Sequence, residues 1–180
     1  MEKTPNPVWK NAMNFGAIGG MAMVLLRFLT TLANATFDPV SLVRMLLLIV
    51  LIVVGTKYLR DKHLDGEIKY SKVLFSGFLL SLFSGIILGF YVYLEIAQIK
   101  PELFQEYLII QEEAFMKLTF LGEAQIEERI QELHDNTTVR SIATGEFFNN
   151  VLWGFIFSLI IAIFIKREKP LEDNVLTSEQ

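Results

Sequence analysis

Cysteine is absent from this chain of 180 residues, and histidine occurs only twice, as His63 and His134. The absence of thiols excludes disulfides, thiolate metal sites and a cysteine nucleophile. The histidines form no H-E-x-x-H motif, and the sequence contains no glycine-rich phosphate loop. A net charge of −4 without a basic stripe argues against nucleic acid as a partner. We therefore expect no enzymatic activity, no metal site and no cofactor.

Charged residues are also missing from two long segments, residues 45–56 and 73–94, although 20% of the chain is charged. Crossing a hydrocarbon core of ~30 Å takes ~20 helical residues, because each residue rises ~1.5 Å. A soluble protein of this size could not enclose several helices of that kind in its core. The sequence thus predicts an all-α membrane protein with four transmembrane helices, at residues 11–32, 40–57, 73–93 and 147–165.

The first apolar stretch also resembles a secretory signal peptide, with Ala33-Asn34-Ala35 in the position of a cleavage site. The apolar region of a signal peptide is usually ~7–15 residues long. This stretch is longer than twenty residues and contains Arg27, so an uncleaved first span is the favoured interpretation.

Lysine and arginine are distributed unevenly among the segments outside the predicted spans. The N-terminus, the second connection and the C-terminus carry ten of them, whereas the third connection has four among eleven acidic residues. Because basic residues accumulate in short cytoplasmic loops, both termini and the second connection are predicted to be cytoplasmic. Residues 1–10 then form a cytoplasmic N-terminus, residues 11–169 the membrane bundle and residues 170–180 a flexible cytoplasmic tail.

The third connection is predicted to be a folded, extracytoplasmic helical excursion. Apolar residues recur at helical spacing in residues 102–118 and 123–134, and Gly122 separates the two segments. Helices that lie on a membrane surface are usually rich in lysine and arginine, whereas these two are acidic. We expect them to pack on their own bundle, with lipid contact and partner binding as the alternatives.

The order of short motifs resembles a known bacterial family. The segment Tyr-Leu-Arg-Asp-Lys-His-Leu-Asp-Gly-Glu-Ile-Lys-Tyr, from Tyr58 to Tyr70, precedes a Gly/Ser-rich span, then Tyr91-Val92-Tyr93 and Lys100-Pro101. Over nearly the whole chain this pattern resembles the membrane family known as domain of unknown function 4199. The resemblance implies four spans, a charged excursion before the last span and a location in the bacterial cytoplasmic (inner) membrane. It implies no activity and no catalytic residues.

Small residues recur at intervals of about four along three of the predicted spans. Such ridges allow helix backbones to approach closely in a membrane, where no hydrophobic effect drives helices together. We predict that they pack the helices of one bundle, with homodimerisation through the third span as the alternative. The residues concerned are Gly16 and Gly20 in the first span, Gly77, Ser81, Gly85 and Gly89 in the third, and Gly154 and Ser158 in the fourth.

Two arginines, Arg27 and Arg44, lie inside predicted spans close to their outer ends. An arginine at mid-bilayer costs ~2.5–3.5 kcal/mol, but near a span end its side chain can reach the headgroups. Glu95 closes the third span, Glu146 opens the fourth and Asp38 lies in the outer hairpin. We predict that Arg27 pairs with one of these acids in an ion-pair collar. Simple snorkelling and a site for a polar ligand or ion are the alternatives.

These features favour a non-enzymatic structural or accessory membrane protein that engages a partner through its outer helices. A small oligomeric transporter or channel is the alternative. Ion-coupled transporters usually place an acidic residue deep in a span, whereas every acid here is expected outside the four spans. The lipid bilayer is the partner that the sequence requires, and a homo-oligomer or a membrane-protein partner is compatible with it.

Overall fold

The computed structural model describes residues 6–33, 37–118 and 122–167, without the side chains of residues 37–41. Within these ranges the chain is helical and forms no strand, apart from one isolated antiparallel bridge. The predicted tail at residues 170–180 lies outside the described residues. The helices are α1 (Pro7–Leu32), α2 (Phe37–His63), α3 (Tyr70–Leu94), α4 (Glu102–Met116), α5 (Glu123–Asn136) and α6 (Val139–Ile165).

Four of the helices, α1, α2, α3 and α6, are long and apolar enough to cross a membrane. The prediction of an all-α, multi-pass membrane protein is therefore confirmed. The helices are longer than the predicted spans, because hydropathy marks contact with lipid rather than the end of a helix. The third continues from α3 through a π-helical turn, Glu95–Ile99, and the fourth begins at Val139 rather than near residue 147.

Helix α3 occupies the centre of the bundle and packs against α6, α1 and α2, most extensively against α6. In the third span, more than half of an apolar stretch of 18 residues is buried inside the bundle. The corresponding share is a third or less in the other three spans. Leu80, Leu88 and Val92 of α3 are fully enclosed. The peripheral spans leave large apolar side chains exposed, for example Ile18 and Phe164, as expected for residues that face lipid.

Glycines of α1 lie directly against α3. A Cβ atom built on Gly16 would lie 2.6 Å from the Cβ of Phe83, and one on Gly20 would lie 2.8 Å from the Cβ of Ile87. Both distances are shorter than real Cβ contacts. The two backbones therefore approach closely because these two positions lack side chains.

The ridge of α3 faces α6 in the same way. Gly77 of α3 lies against Ser158 of α6, and Gly154 of α6 lies against Ser81 of α3. Gly85 and Gly89 both lie against Phe147. The ridge on the third span is thus covered by α6 of the same chain. This face of α3 therefore has no accessible surface through which two copies could dimerise.

One end of the bundle, which we call the basic end, is closed by backbone hydrogen bonds. The amide of Ile68 donates to the carbonyl of Arg167, and the amide of Arg167 donates to the carbonyl of Ile68, both at 2.9 Å. The chain reaches this bridge through a tight turn in which Asp65 (φ 51°) and Gly66 (φ 84°) are left-handed, a conformation that glycine adopts without steric cost. The second connection and the exit of α6 are thereby joined.

The opposite end, which we call the excursion end, carries α4 and α5. Helix α4 packs on the bundle through partly buried Phe104 and Tyr107, and its Leu108 is buried. Helix α5 packs on α4 and has no buried residue. A contact of 2.5 Å between His134 Nε2 of α5 and Glu112 Oε1 of α4 joins the two helices.

We expect Gly16→Ala to lower the free energy of unfolding by about 1–3 kcal/mol, the usual range for overpacking. The added methyl group would meet the Cβ of Phe83 and, at 3.0 Å, the carbonyl oxygen of Leu80, and neither atom moves without its backbone. The matched control is Gly145→Ala, since a Cβ there meets no described atom within 4 Å. Unfolding of the purified protein in mild detergent measures both variants. Equal midpoints would contradict the close approach of α1 and α3.

Candidate functional site

An acidic residue, Glu95, is buried where α3 passes into its π-helical turn. Its side chain is 1% exposed, and the span Tyr70–Ile99 includes it. The span Val139–Ile165 likewise includes Glu146. Both acids lie outside the apolar runs predicted from the sequence, but inside helices that are longer than those runs. The charge at position 95 interrupts the apolar run but not the helix, which continues to Ile99. Single π-helical turns frequently occur at functional sites.

Arg27 of α1 pairs with Glu95, one of the three acids predicted as its partner: its Nε donates a hydrogen bond to Oε2 of the carboxylate. Arg27 Nη1 also lies 3.8 Å from Oε1 of Glu146 in α6. Arg44 of α2 donates from Nη1 to Oε2 of Glu146 at 2.7 Å. We call Arg27, Arg44, Glu95 and Glu146 the ion cluster. It takes one side chain from each of the four spans, and it balances two guanidinium groups against two carboxylates.

The remaining predicted member of this group, Asp38, belongs to the segment whose side chains the structure does not describe. The backbone places it in the first turn of α2 rather than in a hairpin.

Hydroxyl groups complete the environment of Glu95. Thr31 Oγ1 donates to Oε1 of Glu95 at 2.9 Å, and the Tyr91 hydroxyl donates to the same oxygen at 3.4 Å. Lys100 Nζ donates to the carbonyl of Thr31 at 3.1 Å. Sequence analysis did not assign these residues to the site, although their spacing from charged residues indicates two of them. Thr31 follows Arg27 by four positions and Tyr91 precedes Glu95 by four, so each shares a helix face with a charged residue.

Two asparagines make further polar contacts inside the bundle. Asn150 of α6 donates from Nδ2 to the carbonyl of Ser81 at 2.9 Å and to Ser84 Oγ at 3.1 Å. Asn11 of α1 donates to the carbonyl of Gly55 in α2 at 3.0 Å. Sequence analysis missed both. Asn150 is four residues after Glu146 and four before Gly154. It therefore continues the small-residue ridge of α6 towards the N-terminus, and this spacing places it on the packed face of the helix.

An open cavity of about 950 Å³ lies between α4, α5 and the first turns of α6. Its walls are amphipathic, with Tyr107 and Phe115 from α4 and the paired residues Arg129 and Glu132 from α5. Glu146 lies at its wall and also belongs to the ion cluster. On α6 the lining extends to Asn149 and no further, so this cavity is confined to the excursion end and does not reach the middle of the span.

We expect Glu95→Gln to lower the free energy of unfolding by about 3 kcal/mol, because it leaves Arg27 partly buried without its main counter-charge. The double variant Arg27→Gln with Glu95→Gln removes both charges and should recover part of the loss. Glu113→Gln is the matched control. Glu113 is 58% exposed and 3.7 Å from Lys117, a pair whose loss costs about 0.5 kcal/mol or less. Unfolding midpoints in detergent measure all three. If Glu95→Gln were no less stable than the control, Glu95 would not hold the spans together.

The model of a family described as "Protein of unknown function (DUF4199)" matches residues 14–167. No curated protein and no solved structure matches the chain. The matched residues include every member of the ion cluster and both excursion helices. The chain therefore belongs to the DUF4199 family.

Proposed function

We propose that this chain is a non-enzymatic accessory protein of the bacterial cytoplasmic membrane that binds a membrane-protein partner through α4 and α5. The observation that supports this proposal is the exposed apolar surface of α4. Ile109, Ile110 and Met116 are 53%, 44% and 59% exposed. In contrast, Phe104 and Tyr107 of the same helix pack against the core of the bundle. Helix α4 thus has one apolar side that the bundle covers and another that the described part of the chain leaves uncovered.

The charge of α4 and α5 indicates what kind of surface the partner presents. Together α4 and α5 carry nine acidic residues, and Arg129 is their only lysine or arginine. An acidic surface is repelled by anionic lipid headgroups, and helices that bind membrane surfaces are usually basic. A protein whose surface combines apolar residues with lysine or arginine is complementary to both features.

The proposal assigns both termini to the cytoplasm and α4–α5 to the outside. It is supported by the ten basic residues of the N-terminus, the second connection and the C-terminus and by the positive-inside rule. The bridge between Ile68 and Arg167 joins two of the basic segments at one end of the bundle, so that these segments are on the same side.

A small oligomeric transporter has less support. Both carboxylates of the ion cluster are paired with arginines, and the cavity beside Glu146 ends at Asn149. Neither feature provides a path through the middle of the bundle.

The sidedness can be tested with single cysteines, since the natural chain has none. Asp135→Cys in α5 and Lys62→Cys near the end of α2 replace exposed residues at opposite ends. A maleimide that cannot cross membranes should label Asp135→Cys in intact bacterial cells. Lys62→Cys should react only after lysis. The reverse pattern would contradict the proposed orientation.

The partner can be tested by placing a photo-cross-linking amino acid at Ile109 or Met116 in living cells. We expect both positions to capture the same protein, at a segment that contains lysine or arginine. Phe164, which is 81% exposed on α6, is the control for nonspecific capture within the membrane.

Two reversals of charge on α5, Glu127→Lys and Glu128→Lys, should reduce the yield of that adduct several-fold because they remove charge complementarity. Capture of a second copy of this chain instead would favour the oligomeric alternative. Equal capture from Phe164 would contradict the proposal.

A further inference from the structure

A shallow groove of about 370 Å³ lies on the outside of the contact between α3 and α6. Ile86, Phe90 and Tyr93 form one wall, at positions that recur on one face of α3, and all three are strongly exposed. Gly89 is buried in the groove, where its lack of a side chain lets α6 approach. The groove is distinct from the ion cluster and from the cavity under α4 and α5.

The length of α6 determines the depth of this groove in the bilayer. Its 27 residues extend ~40 Å, about 10 Å more than the hydrocarbon core. Counting ~20 residues from Ile165 puts the other hydrocarbon boundary near Glu146. Arg140, which lines the groove, then lies ~9 Å beyond that boundary, in the headgroup layer. On α3 the groove runs from Tyr93, a residue type typical of this boundary, to Ile86, ~10 Å deeper in the hydrocarbon.

Arg140 is an exposed cation above an otherwise apolar groove. Within the described part of the chain no carboxylate lies within 4.0 Å of it, whereas Arg27 has two within that distance and Arg44 has one. Thr144, one turn further along α6, adds a hydroxyl group to the same lining. A guanidinium group binds phosphate through two parallel hydrogen bonds. The positive charge of Arg140 at the headgroup level matches the phosphate of a phospholipid, and the apolar surface below it matches an acyl chain.

We propose that this groove binds one anionic glycerophospholipid, with its phosphate on Arg140 and an acyl chain along Phe90 and Ile86. The lining of the groove contains no acidic residue, so the ammonium group of a zwitterionic lipid would have no counter-charge there. A second protein helix fits less well. Helices approach closely in membranes on small residues, and the small residue here, Gly89, is already covered by α6, while Phe90 and Tyr93 project outward.

The test is native mass spectrometry of the full chain in mild detergent with equal amounts of phosphatidylglycerol and phosphatidylcholine that carry the same acyl chains. The natural protein should retain phosphatidylglycerol preferentially. Arg140→Gln should reduce that preference about fivefold, the effect of one basic residue at an anionic lipid surface. Arg140→Lys should keep most of it. Lys117→Gln, which removes an exposed charge outside the groove, is the matched control and should behave as the natural protein.

A photo-cross-linking residue at Thr144, in vesicles that contain both lipids, locates the binding. The proposal requires adducts with phosphatidylglycerol that diminish when Arg140→Gln is added. Three outcomes would overturn it: equal retention of the two lipids, an unchanged preference in Arg140→Gln, or cross-linking of Thr144 to protein rather than lipid.

Discussion

A carboxylate buried at the end of a membrane span needs a cation beside it, and the positions of the four spans relative to one another depend on how Glu95 meets that need. Arg27 neutralises Glu95 and also lies near Glu146, which in turn binds Arg44. Apolar packing alone is a poor determinant of how far one span is shifted along its axis relative to its neighbour, because lipid tails are as apolar as leucine side chains. The ion cluster fixes this axial alignment, since its charges have partners in only one arrangement of the spans.

The fourth span combines polar contacts and close packing on one face. Glu146, Asn150, Gly154 and Ser158 follow one another at intervals of four residues, and each contacts another span. The first two make polar contacts with neighbouring helices, and the other two allow α3 to approach. A single helical periodicity thus explains both why α6 packs most extensively against α3 and where the polar groups of the interface lie.

Much of this arrangement could be predicted from the sequence, because hydropathy, charge balance and small-residue spacing are properties of one helix at a time. The four spans, the close contacts at Gly16 and Gly77, and the pairing of Arg27 all follow from such patterns. The burial of Glu95 could not be predicted, since an acid that ends an apolar run has the same sequence pattern whether the helix stops or continues. Hydropathy likewise gives no indication that the amides of Asn11 and Asn150 bind neighbouring helices.

The members of the ion cluster are far apart in the sequence, so the ribosome synthesises them at different times. Glu95 follows Arg27 by 68 residues, and Glu146 follows Arg44 by 102. At ~5–20 residues per second, Arg27 precedes its carboxylate by about 3–14 s and Arg44 precedes its own by about 5–20 s. Both arginines therefore spend seconds at the membrane before their counter-charges exist. Water, headgroups or the insertion machinery must solvate them until the last span arrives, and a nascent chain that stops before Glu146 holds an excess of positive charge in its spans.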